Sequence, residues 1–72
     1  MLSKKIVIKV NGIKTLKDDS NIRNSINKIE GIKSVKVSLK NKKITLTHNK
    51  ILNILDIKKT IDELGYKYIG VE

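Results

Sequence analysis

The sequence contains no cysteine, proline, tryptophan or phenylalanine, and it has a single histidine. The absence of cysteine excludes a disulfide framework and any site that needs a thiolate. Chains of 72 residues often depend on disulfides or on a structural metal, so this one must be held together by packing alone. We therefore expect a single domain over residues 1–72, with neither a second core nor a deep catalytic cleft.

Long apolar segments are also missing. The longest apolar segment, residues 50–57, is interrupted by Asn53 and Asp56, so no stretch is long enough to cross a membrane. The residues after Met1 carry lysines every few positions and lack the apolar core of a signal peptide. The sequence predicts a cytoplasmic protein, or a cytoplasmic piece of a larger one, with no membrane insertion of this segment.

The charge is strongly unbalanced, because 16 basic residues face 7 acidic ones and give a formal net charge of +9. Such a charge favours nucleic acid, anionic lipid or an acidic protein as a partner. Lysine, isoleucine and asparagine together account for 35 of the 72 residues, however, as in many proteins encoded by AT-rich genomes. Composition alone therefore explains much of the charge.

The first half of the chain changes from a strand period to a helix period. Apolar residues alternate strictly over residues 4–10, which predicts a strand with one buried face. From Leu16 the apolar residues recur at helical spacing, which predicts a helix that ends near Glu30, just before Gly31. Two alternating segments around a polar turn at Lys40–Lys43 then predict a hairpin.

A second helical stripe follows the hairpin. Asn53 is placed as its N-cap and Gly65 as its C-terminal stop. The segment Tyr66–Val71 predicts a short last strand. The apolar stripes predict that the helices pack on the sheet through Ile8, Ile22, Ile26, Val37, Ile44, Ile57 and Ile61.

The order strand, helix, strand, strand, helix, strand predicts an α+β fold. It is the ferredoxin-like βαββαβ sandwich, a four-stranded antiparallel sheet in the order 4-1-3-2 with two helices on one face. In this topology the first loop, the hairpin turn and the junction before the last strand lie at one end of the sheet. His48 lies at the other end.

Gly12, Ile22, Gly31 and the pair Gly65-Tyr66 form a spaced pattern over essentially the whole chain. This pattern, without a gap, resembles that of the heavy-metal-associated family of copper chaperones and N-terminal domains of metal-transporting P-type ATPases. The resemblance implies a metal loop with the pattern Gly-Met-Thr-Cys-x-x-Cys that binds a soft metal such as Cu(I). In this chain the region of that loop comprises Gly12, Ile13, Thr15, Asp18 and Tyr66.

The chain departs from the family at the metal ligands, because Thr15 and Asp18 stand where the two cysteines would be. Cu(I) favours thiolates, so we predict no metal site and no cofactor. Thr-x-x-Asp at a helix start has the spacing of a capping box, which is the favoured role. A hard-cation site made with Asp19 is disfavoured, because a helix N-terminus and a basic chain both repel a cation.

Two other residues have mainly structural interpretations. His48 stands alone at a strand end, which is typical of a surface or partly buried residue rather than a metal ligand. By the resemblance, Tyr66 lies beside the metal loop, and we expect it to close that end of the core.

The lysines predict two surfaces. Lys5, Lys9, Lys36 and Lys43 should project from the open face of the sheet, where solvation is the favoured interpretation because no aromatic residue lies on a central strand to stack bases. A second group gathers at the end where, by the resemblance, the family docks its partners. These candidate docking residues are Lys14, Lys17, Lys40, Lys42 and Lys43.

Two hypotheses about function follow. The first is a degenerate heavy-metal-associated module, a monomeric protein-interaction or regulatory domain of a copper-type transport or homeostasis system, whose partner is a metal-transporting ATPase or another such domain. The second is a basic ferredoxin-like module that binds nucleic acid or another polyanion weakly and without specificity. The sequence contains no catalytic set, such as Ser-His-Asp, a nucleophilic cysteine or a phosphate-binding glycine loop, so we do not expect an enzyme.

Overall fold

The computed structural model describes residues 4–72 of the chain. Its four strands form one antiparallel sheet in the order β2-β3-β1-β4, and both helices pack on the same face. The predicted fold class and strand order are confirmed. The elements are β1 (Lys4–Asn11), α1 (Leu16–Ile26), β2 (Ile32–Ser38), β3 (Lys43–His48), α2 (Ile54–Glu63) and β4 (Lys67–Val71).

Isoleucine supplies most of the core. The two central strands place Ile8 opposite Ile44, and both side chains are completely buried beneath the helices. Val37 is only partly buried but packs against this cluster. Burying a side chain of this kind contributes roughly 1.5–3 kcal/mol, which is how a domain without cross-links stays folded. The helices contribute Ile22, Ile26, Ile57 and Ile61, each 0% exposed.

Helix α1 ends earlier than predicted, at Ile26 rather than near Glu30. Asn27 is its C-cap, and the backbone amide of Ile29 donates to the carbonyl of Ile26 in a tighter turn. The prediction was wrong because Ile29 continues the apolar spacing and packs against the core from this turn. The chain reverses at Gly31, whose φ of +93° suits a residue without a Cβ.

Helix α2 has the predicted ends. The Asn53 side chain accepts a hydrogen bond from the amide of Leu55 at 3.0 Å, which satisfies one of the free donors of the first turn. Gly65 follows the helix with a φ of +93°. Within residues 4–72, neither helix is long and apolar enough to span a membrane.

The topology brings three connections together at one end of the sheet, which we call the loop end. They are the β1–α1 loop, the β2–β3 turn and the α2–β4 junction, represented by Ile13, Lys42 and Tyr66. The opposite end, called the far end, contains His48, which pairs with Lys4 and with Ile32. The predicted separation of the two ends is therefore present.

Candidate functional site

The loop end is organised around the first turn of α1. The Thr15 hydroxyl accepts from the Asp18 amide at 3.2 Å, and Oδ2 of Asp18 accepts from the Thr15 amide at 3.1 Å. The predicted capping box is thus formed. The same Oδ2 also accepts from the Lys14 amide at 2.8 Å, so the carboxylate holds two successive backbone groups of the loop.

Tyr66 joins this cap from the other side of the core. Its hydroxyl donates to Oδ1 of Asp18 at 2.5 Å, so both carboxylate oxygens have protein partners. Its ring is partly buried against the core, as expected, and lies against Gly12. A Cβ at Gly12 would come within 3.4 Å of the ring, and a residue with a Cβ rarely adopts the φ of +99° found here. Glycine therefore suits this position.

These contacts shift the pKa values of both partners. The pKa of Asp18 falls from 3.8 to about 2, chiefly because the Tyr66 hydroxyl donates to it and then because the Lys14 and Thr15 amides do so. The pKa of Tyr66 is raised, first by its removal from water and then by its hydrogen bond to Asp18. The pair therefore favours an ionised Asp18 and a protonated Tyr66 at neutral pH.

Lys42 closes the loop from the hairpin side. Its Nζ donates to the backbone carbonyl of Ile13 at 2.8 Å, and the side chain of Ile13 is completely buried. Lys42 has a φ of +58°, which is uncommon for a residue with a Cβ. One of the five predicted docking lysines is thus engaged within the protein.

The other docking candidates divide into two groups. Lys14, Lys17 and Lys40 are exposed around the loop end. Lys43 lies on the sheet, where its Nζ forms an ion pair with Glu72 at 2.7 Å; this hydrogen bond lowers the pKa of Glu72. The sequence alone did not indicate that Leu16 would be exposed, because it is the first apolar residue of the helical pattern. In the structure Leu16 is the first residue of α1 and is 76% exposed, whereas Ile22 and Ile26 form the buried side of the helix.

The residues at the loop end do not fit a soft metal ion. Thr15 and Asp18 offer a hydroxyl and a carboxylate instead of thiolates, and their oxygens already accept hydrogen bonds from backbone amides and Tyr66. Within residues 4–72, no three histidine, cysteine or acidic side chains converge in a way that could hold a metal. His48 lies at the far end, with Nδ1 2.8 Å from the Lys50 carbonyl oxygen.

Comparisons with known proteins identify the family and the fold. A family model described as the heavy-metal-associated domain matches residues 7–67. The N-terminal domain of a potential copper-translocating P-type ATPase from Bacillus subtilis, solved in the Cu(I)-loaded state, is 26% identical, with a TM-score of 0.85 over 99% of this chain and 92% of that one.

Structures with lower sequence identity share the fold. A CopZ metallochaperone superimposes with a TM-score of 0.86 at 21% identity, over 92% of this chain and all of its own. Oxidized MerP from Ralstonia metallidurans CH34 does so with a TM-score of 0.82 at 17% identity, over 96% of this chain and 97% of its own. No curated protein sequence matches.

Proposed function

Because the chain belongs to the heavy-metal-associated family, we propose that it is a module in which thiolate metal binding has been replaced by a hydrogen-bonded cap. It acts as a protein-interaction or regulatory domain of a heavy-metal, copper-type transport or homeostasis system. Its partner is a metal-transporting ATPase or another domain of the same family. The domain itself works as a monomer.

The observation that carries this proposal is the set of contacts made by Asp18. This residue stands at the position of the second family cysteine, and its carboxylate accepts from two loop amides and from Tyr66. Hydrogen bonds that hold the loop in one conformation offer no advantage if the loop must open to receive or release a metal. A loop that presents a fixed surface to a partner does gain, because less ordering is needed on binding.

The surface around that loop has the composition of a small docking site. Leu16 offers an exposed apolar side chain at the start of α1, and the exposed Lys14 and Lys17 are close to it in the sequence. The exposed Lys40 lies in the β2–β3 turn at the same end of the sheet. Interfaces commonly combine an apolar centre with a polar rim. Charges at the rim speed the encounter and set the orientation more than they add affinity, so the expected partner surface is acidic around an apolar patch.

The metal part of the proposal is tested by titration of the ¹⁵N-labelled protein with Cu(I) and Zn(II) under reducing conditions. We expect the amide shifts of residues 13–21 to stay nearly unchanged, because neither thiolate is available. Weak binding at His48 is compatible with the proposal, since it would perturb only the far end. Tight stoichiometric Cu(I) binding at the loop end would contradict it.

The docking part is tested with the soluble N-terminal domain of a copper-translocating ATPase as the added partner. We expect shift changes at Leu16 and the neighbouring lysines, and we expect the variant Lys14→Glu with Lys40→Glu to weaken binding at least tenfold. The matched control is Lys58→Glu with Lys59→Glu on the exposed side of α2, which makes the same change in charge. Equal losses in both variants would show that overall charge, not this surface, drives the encounter.

A further inference from the structure

The charge of the protein is divided unequally between the sheet and the helices. Within residues 4–72, the four strands contain seven lysines and no acidic residue, whereas the two helices contain four basic and five acidic residues. A purely compositional excess of lysine would fall on both layers alike. Most of the positive charge therefore lies in the sheet, the connecting segments carry the rest, and the helix layer is close to neutral.

Strand register places much of this charge on the face that the helices leave open. Because Ile8 and Val10 point into the core, Lys5, Val7 and Lys9 lie on the opposite face. Their partners on β3 and β2 continue the same face in three rows across the sheet. The rows are Lys5 with Thr47 and Ser34, Val7 with Thr45 and Lys36, and Lys9 with Lys43 and Ser38.

The open face therefore alternates ammonium groups with hydroxyl groups. Lys5, Lys9 and Lys36 are exposed, and among residues 4–72 only Lys43 of the four lysines in these rows forms an ion pair, with Glu72. Neighbouring strands are about 4.8 Å apart, and alternate residues along a strand are about 6.7 Å apart. Several donors thus lie within reach of one extended anion.

We propose that this open face binds the sugar-phosphate backbone of nucleic acid without reading its sequence. Lysine, serine and threonine are among the side chains that donate hydrogen bonds to phosphate oxygens. The three rows contain no aromatic side chain on which a base might stack, and no base-specific contact is expected. This surface is separate from the loop end, so it is independent of the proposed docking of a protein partner.

An anionic membrane fits this surface less well. Peripheral binding to lipid combines basic charge with apolar side chains that enter the acyl boundary. In the three rows the only apolar side chain is Val7, which is half-buried, whereas Ile69 and Val71 on the neighbouring β4 are 48% and 50% exposed. The three rows themselves are polar and basic, and the exposed apolar side chains are confined to the outer strand β4, which favours a hydrated phosphate backbone over an acyl boundary.

The test is fluorescence anisotropy with a short labelled DNA duplex of arbitrary sequence, repeated over a series of salt concentrations. The logarithm of affinity should fall linearly with the logarithm of salt concentration, with a slope of about −0.9 for each phosphate contact, hence near −3 for the three unpaired lysines. A duplex of unrelated sequence should bind equally well. Absence of binding at low salt, or strong preference for one sequence, would overturn the proposal.

Matched variants locate the surface. Lys9→Gln with Lys36→Gln removes two charges from the open face, and Lys58→Gln with Lys59→Gln removes two from α2, so both variants have the same net charge. The first pair should lower low-salt affinity at least tenfold and reduce the slope by about 1.8. The second pair should change affinity by less than about twofold, because its lysines contact no phosphate. Equal losses would assign binding to net charge and overturn the proposal.

A variant of opposite sign completes the test. Glu72→Gln removes the carboxylate that pairs with Lys43 and should raise duplex affinity several-fold, with a steeper salt dependence. Vesicles that contain phosphatidylserine are the competing ligand. Binding to these vesicles at a salt concentration where the duplex no longer binds would identify a lipid surface as the occupant and overturn the proposal.

Discussion

The loop end and the far end of the same sheet are held in different ways. At the loop end Ile13 is completely buried, its carbonyl accepts from Lys42, and Asp18 connects the loop to Tyr66. At the far end Ile51 is fully exposed beside an open cleft of about 470 Å³. His48 borders that cleft, and its Nδ1 lies 2.8 Å from the carbonyl oxygen of Lys50.

The difference shows that specific side-chain hydrogen bonds hold the loop end. By the family pattern, the loop end is where a metal would enter and leave, yet here it is the more firmly closed of the two. The contacts come from three separate segments, so the loop conformation depends on the whole fold. Thr15 and Asp18 are thus part of a network that fixes the loop, and the two ends can be distinguished by experiment.

The largest expected effect comes from introducing a pair of thiols at the loop end. The variant Thr15→Cys with Asp18→Cys places two thiolates at the start of α1, and we expect its Cu(I) affinity to rise by several orders of magnitude. Without metal the variant should lose about 1 kcal/mol of stability with the cap, and bound metal should recover it. Competition with a Cu(I) chelator measures the affinity, and urea unfolding measures the stability.

The control for that experiment is Lys59→Cys with Asp62→Cys, which gives the same spacing on the exposed side of α2. This control should bind Cu(I) far more weakly, since no loop holds its thiols in place. Comparable affinity in both variants would show that two helical thiols suffice and that the loop end has no special geometry.

The next largest effect should be a difference in stability between variants that remove a side chain at the loop end and at the far end. Ile13→Ala removes a completely buried side chain and should reduce the free energy of unfolding by about 2–5 kcal/mol. Ile51→Ala, at the fully exposed far-end position, should change it by less than about 0.5 kcal/mol. Urea unfolding followed by circular dichroism measures both. Similar losses would mean that the two ends are equally well packed in solution.

The Asp18 cap should appear as an acid-dependent part of stability. The native pKa of about 2 lies below the value of 3.8 for an unperturbed group. Stability from Asp18 is therefore complete above about pH 4 and is lost as the pH falls towards 2. Asp18→Asn should flatten this part of the curve of unfolding free energy against pH, whereas Asp62→Asn, in α2, should keep the parent's decline.

The smallest effect concerns Tyr66. Tyr66→Phe keeps the ring against Gly12 but removes the hydroxyl that is the main cause of the low Asp18 pKa. The pKa of Asp18 should rise from about 2 towards 3.8, as followed by NMR titration of its side-chain carboxyl signal. An unchanged titration would assign the shift to the loop amides alone.

Most of the fold follows from local signals in the sequence. The alternation in β1, the helical stripes, the caps Thr15 and Asn53, and the stop at Gly65 each depend on residues close together in the chain. The end of α1 was misplaced because the apolar spacing continues to Ile29, three residues past the last helical residue, Ile26.

The site is predictable only in part. The capping box joins residues three apart, so its spacing is visible in the sequence. The hydrogen bond between Tyr66 and Asp18 joins residues 48 positions apart in the chain. It forms because the fold brings the α2–β4 junction next to the first loop. Lys42 is one of several lysines in the hairpin turn, and its Nζ is the one that donates to the Ile13 carbonyl. Lys42 also differs from its neighbours in its positive φ, which the sequence does not indicate. Contacts between residues so far apart in the chain depend on tertiary geometry and leave no local pattern in the sequence.

The two irregularities in the sheet also affect how molecules meet one another. Pairing shifts between Lys9 and Val10 where β4 joins the sheet, and between Ile32 and Ser34 on β2, so each outer strand is interrupted. Interrupted outer strands that carry lysine are poor templates for another strand. Growth into a continuous sheet across molecules, the first step towards a fibril, is thereby discouraged at both edges of this isoleucine-rich domain.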